Sequence, residues 1–273
     1  MRQPKAPRTD VELAREGIVL AGGGAAIALQ VAHRPVAAGV QQHSNFTSDP
    51  LGRLRRTLQY LAAIVLPEAQ SARDTVTGWV ARAHEPVEGI ADGAAYSAAD
   101  PDTQRWVTAT LYWTAEEIRW RIWGEQHPDD ADQIYDCYAA LGTALGMPQD
   151  YWPADRAAFQ RYWDEQLASL EVTDAARQIV SELFAARSAP WWLRTAMPTA
   201  RFLTAGLLPA EIRVQLGLDW DGADAVREDR LWSSLAAAYP RLPAGIRHIP
   251  ARLVVAELTA GSRGTKDAFD PLG

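Results

Sequence analysis

The sequence predicts a single all-α domain, on three observations. Helix start and stop residues recur along the chain, apolar residues fall at three- and four-residue spacing between them, and strand signals are nearly absent. At 273 residues the chain is long enough to bury a sizeable core. Its eleven tryptophans each bring a large apolar surface and one N–H that wants a partner. Composition leaves two uses open for them, a broad helical core or an aromatic-walled cavity. No Gly-, Ser- or Pro-rich linker and no repeat of fixed period divides the chain. Residues 15–258 therefore read as one domain, with an extension over 1–14 and a tail over 259–273 that has little to bury.

The first element is the apolar stretch from Ile18 to Ala32. It is short for a bilayer span, and Asp10, Glu12 and Glu16 precede it where a signal peptide would be basic. It reads as a core helix of a cytoplasmic protein. Its Gly22-Gly23-Gly24 triplet has no preceding strand, so it predicts close helix packing rather than a phosphate loop. Asp49-Pro50 then supplies a cap and an N1 proline for a helix to about Leu66, with Leu51, Leu54, Leu58, Leu61 and Val65 as the expected buried stripe. Ser71 is the expected cap of a helix that ends near His84, because Pro86 cannot continue it. Asp100-Pro101 starts a long helix carrying Trp106, Trp113, Trp120 and Trp123. Further helices are expected over 128–145, 153–170 and 173–186, then shorter ones over 198–205, 209–216, 223–239 and 250–258.

Charge and cysteine content narrow the function. A net charge of −7 argues against a nucleic-acid binder, which usually carries a basic footprint. The single cysteine, Cys137, forbids an intramolecular disulfide and reads as a small buried apolar residue in a reducing compartment. His-Glu-x-x-His, Cys-x-x-Cys, the Gly-Lys-Ser/Thr phosphate loop and the Gly-x-Ser-x-Gly elbow are all missing.

Five histidines remain: His33, His43, His84, His127 and His248. His127 and His248 stand beside prolines at helix boundaries and read as structural. His33 and His43 bracket the small-residue segment Val36-Ala37-Ala38-Gly39-Val40, which permits close approach of a helix or a flat ligand. His84 falls at a helix C-terminus, where the dipole suits a cation and a neutral imidazole could equally face a metal. On the preceding helix Arg53 and Thr57 share a face at i, i+4, with Arg56 beside them. That set is either a solvated basic stripe or an arginine and a hydroxyl offered to an anion or to bound dioxygen, and the residues alone do not choose.

Several segments, in order, resemble the family of MpaB and the latex clearing protein, chiefly its smaller bacterial branch. They are Val36-Ala37-Ala38-Gly39-Val40-Gln41-Gln42-His43 running into Asp49-Pro50-Leu51-Gly52-Arg53-Leu54-Arg55-Arg56-Thr57; His84-Glu85-Pro86-Val87-Glu88-Gly89 with Tyr96 and Trp106-Val107-Thr108-Ala109-Thr110-Leu111; and Thr204-Ala205-Gly206-Leu207-Leu208-Pro209 with Ile246-Arg247-His248-Ile249-Pro250. The resemblance covers roughly residues 15–258 and implies an all-α domain enclosing one heme b.

The family pattern His-x-x-Val-x-Gly falls on His84, Val87 and Gly89, which makes His84 the expected iron ligand. The Arg-x-x-x-Thr pair falls on Arg53 and Thr57, expected as catalytic residues on the opposite side. Arg56 and His43 are expected beside the cofactor with Arg53. Arg56 stands where the latex-clearing branch has a lysine, and a guanidinium stays protonated, so it suits a propionate better than iron. Thr108 replaces a histidine usual in the smaller bacterial members, His33-Arg34-Pro35 replaces His-Pro, and no counterpart of the latex-clearing glutamate is identified in Val36–Val40.

The implied activity is a heme b-dependent oxygenase acting with dioxygen or a peroxidic species on a small, largely apolar organic substrate. Trp79, Trp106 and Trp113 are either walls of its cavity or, as expected of tryptophan in general, core packing. The alternatives are a heme-binding sensor or carrier without turnover, and a helical binding protein whose oxygenase site has decayed.

Overall fold

A computed structural model describes residues 6–43, 50–187 and 189–261, with Pro50 and Leu51 described by backbone alone. Its first helix, α1 (Asp10–Arg15), is capped by Thr9, whose hydroxyl accepts from the Glu12 amide. A 3₁₀ turn (Gly17–Gly22) leads into α2 (Gly23–Ala32) and α3 (Arg34–His43). Next come α4 (Pro50–Val65), a second 3₁₀ turn (Pro67–Ala72) and α5 (Arg73–His84). Strands β1 (Glu88–Ala91) and β2 (Ala94–Ser97) form an antiparallel hairpin before α6 (Pro101–Trp123). Beyond it lie α7 (Pro128–Thr143), α8 (Arg156–Ser169), α9 (Asp174–Ala185) and α10 (Trp191–Leu207). The chain closes with α11 (Ala210–Gln215), α12 (Gly222–Ala238), α13 (Ala244–Arg247) and α14 (Ile249–Gly261). The architecture is thus almost wholly helical, and no helix among the described residues is long and apolar enough to cross a membrane.

Two apolar clusters hold it together. The larger surrounds α2 and α6, where Leu29, Trp106, Ile118, Ile134 and Ile212 are fully buried. Trp106 donates its indole N–H to the Leu29 carbonyl at 3.1 Å, and its ring stacks on Trp163 at 5.3 Å. Trp113 stacks on the same ring at 5.0 Å. Both residues are core packing, the commoner use of tryptophan. The smaller cluster joins α4, α5, α7 and α14 through Tyr60, Ala63, Leu66, Val76, Leu141 and Leu258, with Trp79 partly buried against it. Gly24 allows a close helix approach: a Cβ there would overlap Thr204 Oγ1 on α10. The packing role expected of the glycine triplet is met at that position.

The structure corrects several sequence expectations. The stretch from Ile18 to Ala32 is a 3₁₀ turn followed by α2 rather than one helix, with the break at the glycines. Ser71 lies within a 3₁₀ turn, and α5 starts two residues later behind Ala72. Asp49 lies outside the described residues. The buried face of α4 is Gln59, Tyr60, Ala62 and Ala63, continued by Leu66 just beyond it, while Leu54 is 42% exposed and Leu58, Leu61 and Val65 are only half-buried. Helix α8 starts behind Asp155, which accepts from the Ala158 amide at 2.6 Å, rather than at Pro153.

Helix α10 begins at Trp191 and passes through Pro198, the expected start of a shorter helix. Pro198 and Arg194 are both exposed there, so water can serve the carbonyl that the missing proline N–H leaves unpaired. The hairpin is an addition to the all-helical expectation. Its loop is Asp92-Gly93 with φ of 52° and 79°, the two positive angles of a type I′ turn.

Candidate functional site

The helix that carries His84 ends as the sequence demands. Pro86 stops α5, and the Val87 amide donates back to the His84 carbonyl at 2.9 Å, closing the turn into β1. Contacts from Val87, Gly89 and Tyr96 fix this turn to α3. Val87 lies against Gly39, where an added Cβ would stand 3.0 Å from Val87 Cγ1. Gly89 pairs with Tyr96 across the hairpin, and an added Cβ there would stand 2.8 Å from the Tyr96 oxygen. The ring of Tyr96 therefore lies over Gly89, and its hydroxyl donates to Gln42 Oε1 at 2.7 Å. The same oxygen is 2.9 Å from His43 Nε2, and the two rings meet edge-on at 6.0 Å. The Val and Gly of the His-x-x-Val-x-Gly pattern are thus the places where the segment after His84 is clamped to α3.

His84 itself is solvent-accessible, yet burial pushes its pKa below the usual 6.5, with the Arg53 guanidinium lowering it further. Arg53 is half-buried, and its own pKa is lowered by burial and by Arg56. The end of α5 and the first turns of α4 therefore bring His84 and Arg53 within electrostatic reach. The lowered pKa favours the uncharged His84 imidazole, the form that offers a lone pair to a metal.

Thr57 is exposed on the same face as Arg53, and its hydroxyl donates to the Arg53 carbonyl at 3.0 Å. So engaged, it presents lone pairs outward; donating to anything else would cost that intrahelical bond. Arg56 is also exposed. Arg55 points to the other side, where Glu257 on α14 accepts from Arg55 Nε at 2.8 Å and from the buried Gln59 amide at 3.2 Å. Those bonds set the rotation of α4. His43 faces Tyr96, so the structure ties it to the hairpin.

The other histidines take separate places. His127 caps α7 by accepting from the Asp129 amide, and His248 stands 3.2 Å from Glu16. His33 ends α2, with its ring 6.0 Å from Trp106 and its Nδ1 buried without a hydrogen-bond partner. It lines a cavity of about 210 Å³ with Arg34, Gln166 and Leu170. A second, open one of about 470 Å³ lies along the hairpin beside Tyr96 and Asp100. Neither includes His84 or Arg53. Cys137 is half-buried, and burial, with Asp10 beside it, pushes its thiol up to about 11, so it stays a protonated thiol.

Residues 12–241 match the family model described as "ER-bound oxygenase mpaB/B'/Rubber oxygenase, catalytic domain". The chain belongs to this family. It is also similar to the uncharacterized protein Mb2261 of Mycobacterium bovis and the uncharacterized protein Rv2237 of Mycobacterium tuberculosis. Each is 33% identical over 201 residues, which is 73% of this chain and 78% of the relative. No solved structure matches the chain.

For an mpaB/rubber-oxygenase domain, the donor set suits heme better than a bare ion. Among the described residues no three His, Cys, Asp or Glu side chains converge on a possible metal position. Heme needs only one protein ligand, with cations for its propionates, and His84 lies within electrostatic reach of Arg53. Thr108, at the departure from the family's usual histidine, is 3% exposed and donates to the Gln104 carbonyl at 2.9 Å. It packs where α6 meets Gly142 of α7.

Sequence reasoning missed Tyr96, Gln42, Gln59 and Glu257 as the groups that orient this region. Asp92-Gly93 was the available signal for the hairpin that carries Tyr96. Nothing local in the sequence marks the pairing of Glu257 with Arg55, about two hundred residues apart.

Proposed function

We propose that this chain is a heme b-dependent oxygenase acting with dioxygen on a small, largely apolar organic substrate. Membership of the oxygenase family supports the class of activity. The observation that carries the site is the His84 imidazole at the end of α5, within electrostatic reach of the Arg53 guanidinium on α4.

In this reading His84 would hold the heme iron, and the clamp of Val87, Gly89 and Tyr96 onto α3 fixes the turn that follows it. Heme iron, when bound, supplies the oxygen chemistry, while the protein sets polarity and access around it. Arg53 donates hydrogen bonds toward developing negative charge in a partly desolvated setting, where such bonds are strong. Thr57 sits one turn on and adds an acceptor, or a donor once it releases the Arg53 carbonyl. Arg56, permanently charged, suits a propionate. His43 is held by Tyr96 and orders the contact of α3 with the hairpin rather than holding the iron.

Absorption spectroscopy after expression with added heme tests the assignment. Wild type is expected to show a Soret band, and His84→Ala to lose it or change its axial ligation. If His84→Ala keeps heme with unchanged ligation, the ligand is another residue. A helical protein whose oxygenase site has decayed is the competing reading, and Thr108 favours it. It predicts no Soret band in the wild type. A heme sensor or carrier would show the band but consume no oxygen with any apolar substrate.

A further inference from the structure

We infer that the N-terminal tip of α10 docks on an anionic lipid surface. This tip carries the most exposed aromatic pair among the described residues: Trp191 is 76% and Trp192 53% exposed. Pro190 starts the helix as its cap, and residues 194–196, 198 and 199 are exposed as well, so the first turns stand out from the body. Leu193 and Met197, half-buried, mark the side on which the tip is rooted. Two adjacent tryptophans facing water are costly in apolar area, and an indole with one N–H suits a half-wet interface.

Charge identifies what covers them. From Leu183 to Ala210 there is no Asp or Glu, while Arg187, Arg194 and Arg201 recur every seventh residue. Arg194 and Arg201 lie two turns apart on one face of α10, and Trp191 is one turn before Arg194. This segment carries only positive charge in a chain whose net charge is −7. A second copy of the chain docked here about a two-fold axis would bring the same arginines face to face. A bilayer bearing anionic headgroups instead answers both features, accepting the arginines at the headgroups and the indoles just below them.

The full chain should sediment with vesicles of phosphatidylcholine and phosphatidylglycerol, and not with phosphatidylcholine alone. Binding should weaken with salt, and tryptophan emission should shift to the blue on the mixed vesicles. Each arginine near such a surface is worth roughly fivefold in partitioning, so the reversal Arg194→Glu should weaken binding by about tenfold or more. Trp191→Ser with Trp192→Ser should abolish the blue shift while leaving the helical circular dichroism unchanged. Three results overturn the inference: no vesicle binding by wild type, binding indifferent to both sets of substitutions, or binding to single-stranded oligonucleotide instead of lipid. A wild-type dimer that the tryptophan substitutions turn into a monomer overturns it too, by assigning the tip to a second copy.

Discussion

His33 and His84 have opposite surroundings and the same electrostatic bias. His33 is wedged beside Trp106 with Nδ1 buried and unpartnered, and loss of water lowers its pKa below 6.5. His84 opens onto solvent, yet burial and Arg53 lower it as well. In the unfolded chain both titrate near the ordinary 6.5. Between their folded values and 6.5 the unfolded state therefore binds more protons, and stability must rise with pH there. The contribution is fully present above 6.5 and is lost as pH falls through that value toward the folded ones. Urea titrations from about pH 7.5 to about pH 5.5, above the carboxylate range, should show the unfolding free energy falling with acid. His33→Gln should flatten part of that slope. A wild-type stability that is level or rising toward acid over this window would contradict the desolvation of both rings.

At the scale of elements, the hairpin and α4 decide how the surroundings of His84 and Arg53 are built. Tyr96 lies over Gly89, and its hydroxyl joins Gln42 and His43. Tyr96→Phe keeps the ring and removes those bonds, and should cost about 1 kcal/mol of stability. Hydrogen exchange over residues 87–97 should speed up more than exchange in α6, since only the clamp to α3 is loosened. Unchanged exchange in the hairpin would mean that ring packing alone holds the turn after His84.

How far these elements were legible in the sequence depends on where their partners lie. Caps were legible because they are local: Asp100 accepts from the amides of Asp102 and Thr103, and Thr173 accepts from Ala176, as their types predict. The rotation of α4 was not. Leu54 and Leu58 make a plausible stripe, but the face that packs is the one on which Gln59 reaches Glu257 and Tyr60 donates to the Leu141 carbonyl. Both partners are distant in sequence. His84 and Arg53 stood out through family resemblance. Tyr96 lies within a family-like segment too, but its role depends on Asp92-Gly93 folding it back over Gly89.

At the scale of the whole molecule, one buried carboxylate joins the two ends of the chain. Glu16 is 5% exposed at the close of α1, and three residues from the other end converge on it. The Tyr239 hydroxyl donates to Oε2 at 2.8 Å, the Arg247 guanidinium donates to Oε1, and His248 Nε2 lies 3.2 Å from the same oxygen. The Ile18 amide donates to the Tyr239 oxygen at 3.1 Å, so even the turn after Glu16 is drawn in. Breaking one partner of a buried pair is costly because the remaining charge stays desolvated, and Arg247 is itself largely buried. Glu16→Ala should therefore cost about 3–5 kcal/mol, a large share of the stability of a domain this size. Glu16→Gln keeps the shape and one acceptor, and should lie between wild type and the alanine variant. Helix α14 also carries Glu257, the residue that sets the rotation of α4, so loosening α13 and α14 should reach Arg53 and Thr57 on that helix. Denaturant unfolding of Glu16→Ala, followed in parallel by proteolysis after Arg247 and Arg252, checks both parts. A loss within a few tenths of a kcal/mol, or cleavage no faster than in wild type, would show that apolar packing of α14 on α4 is sufficient to close the molecule.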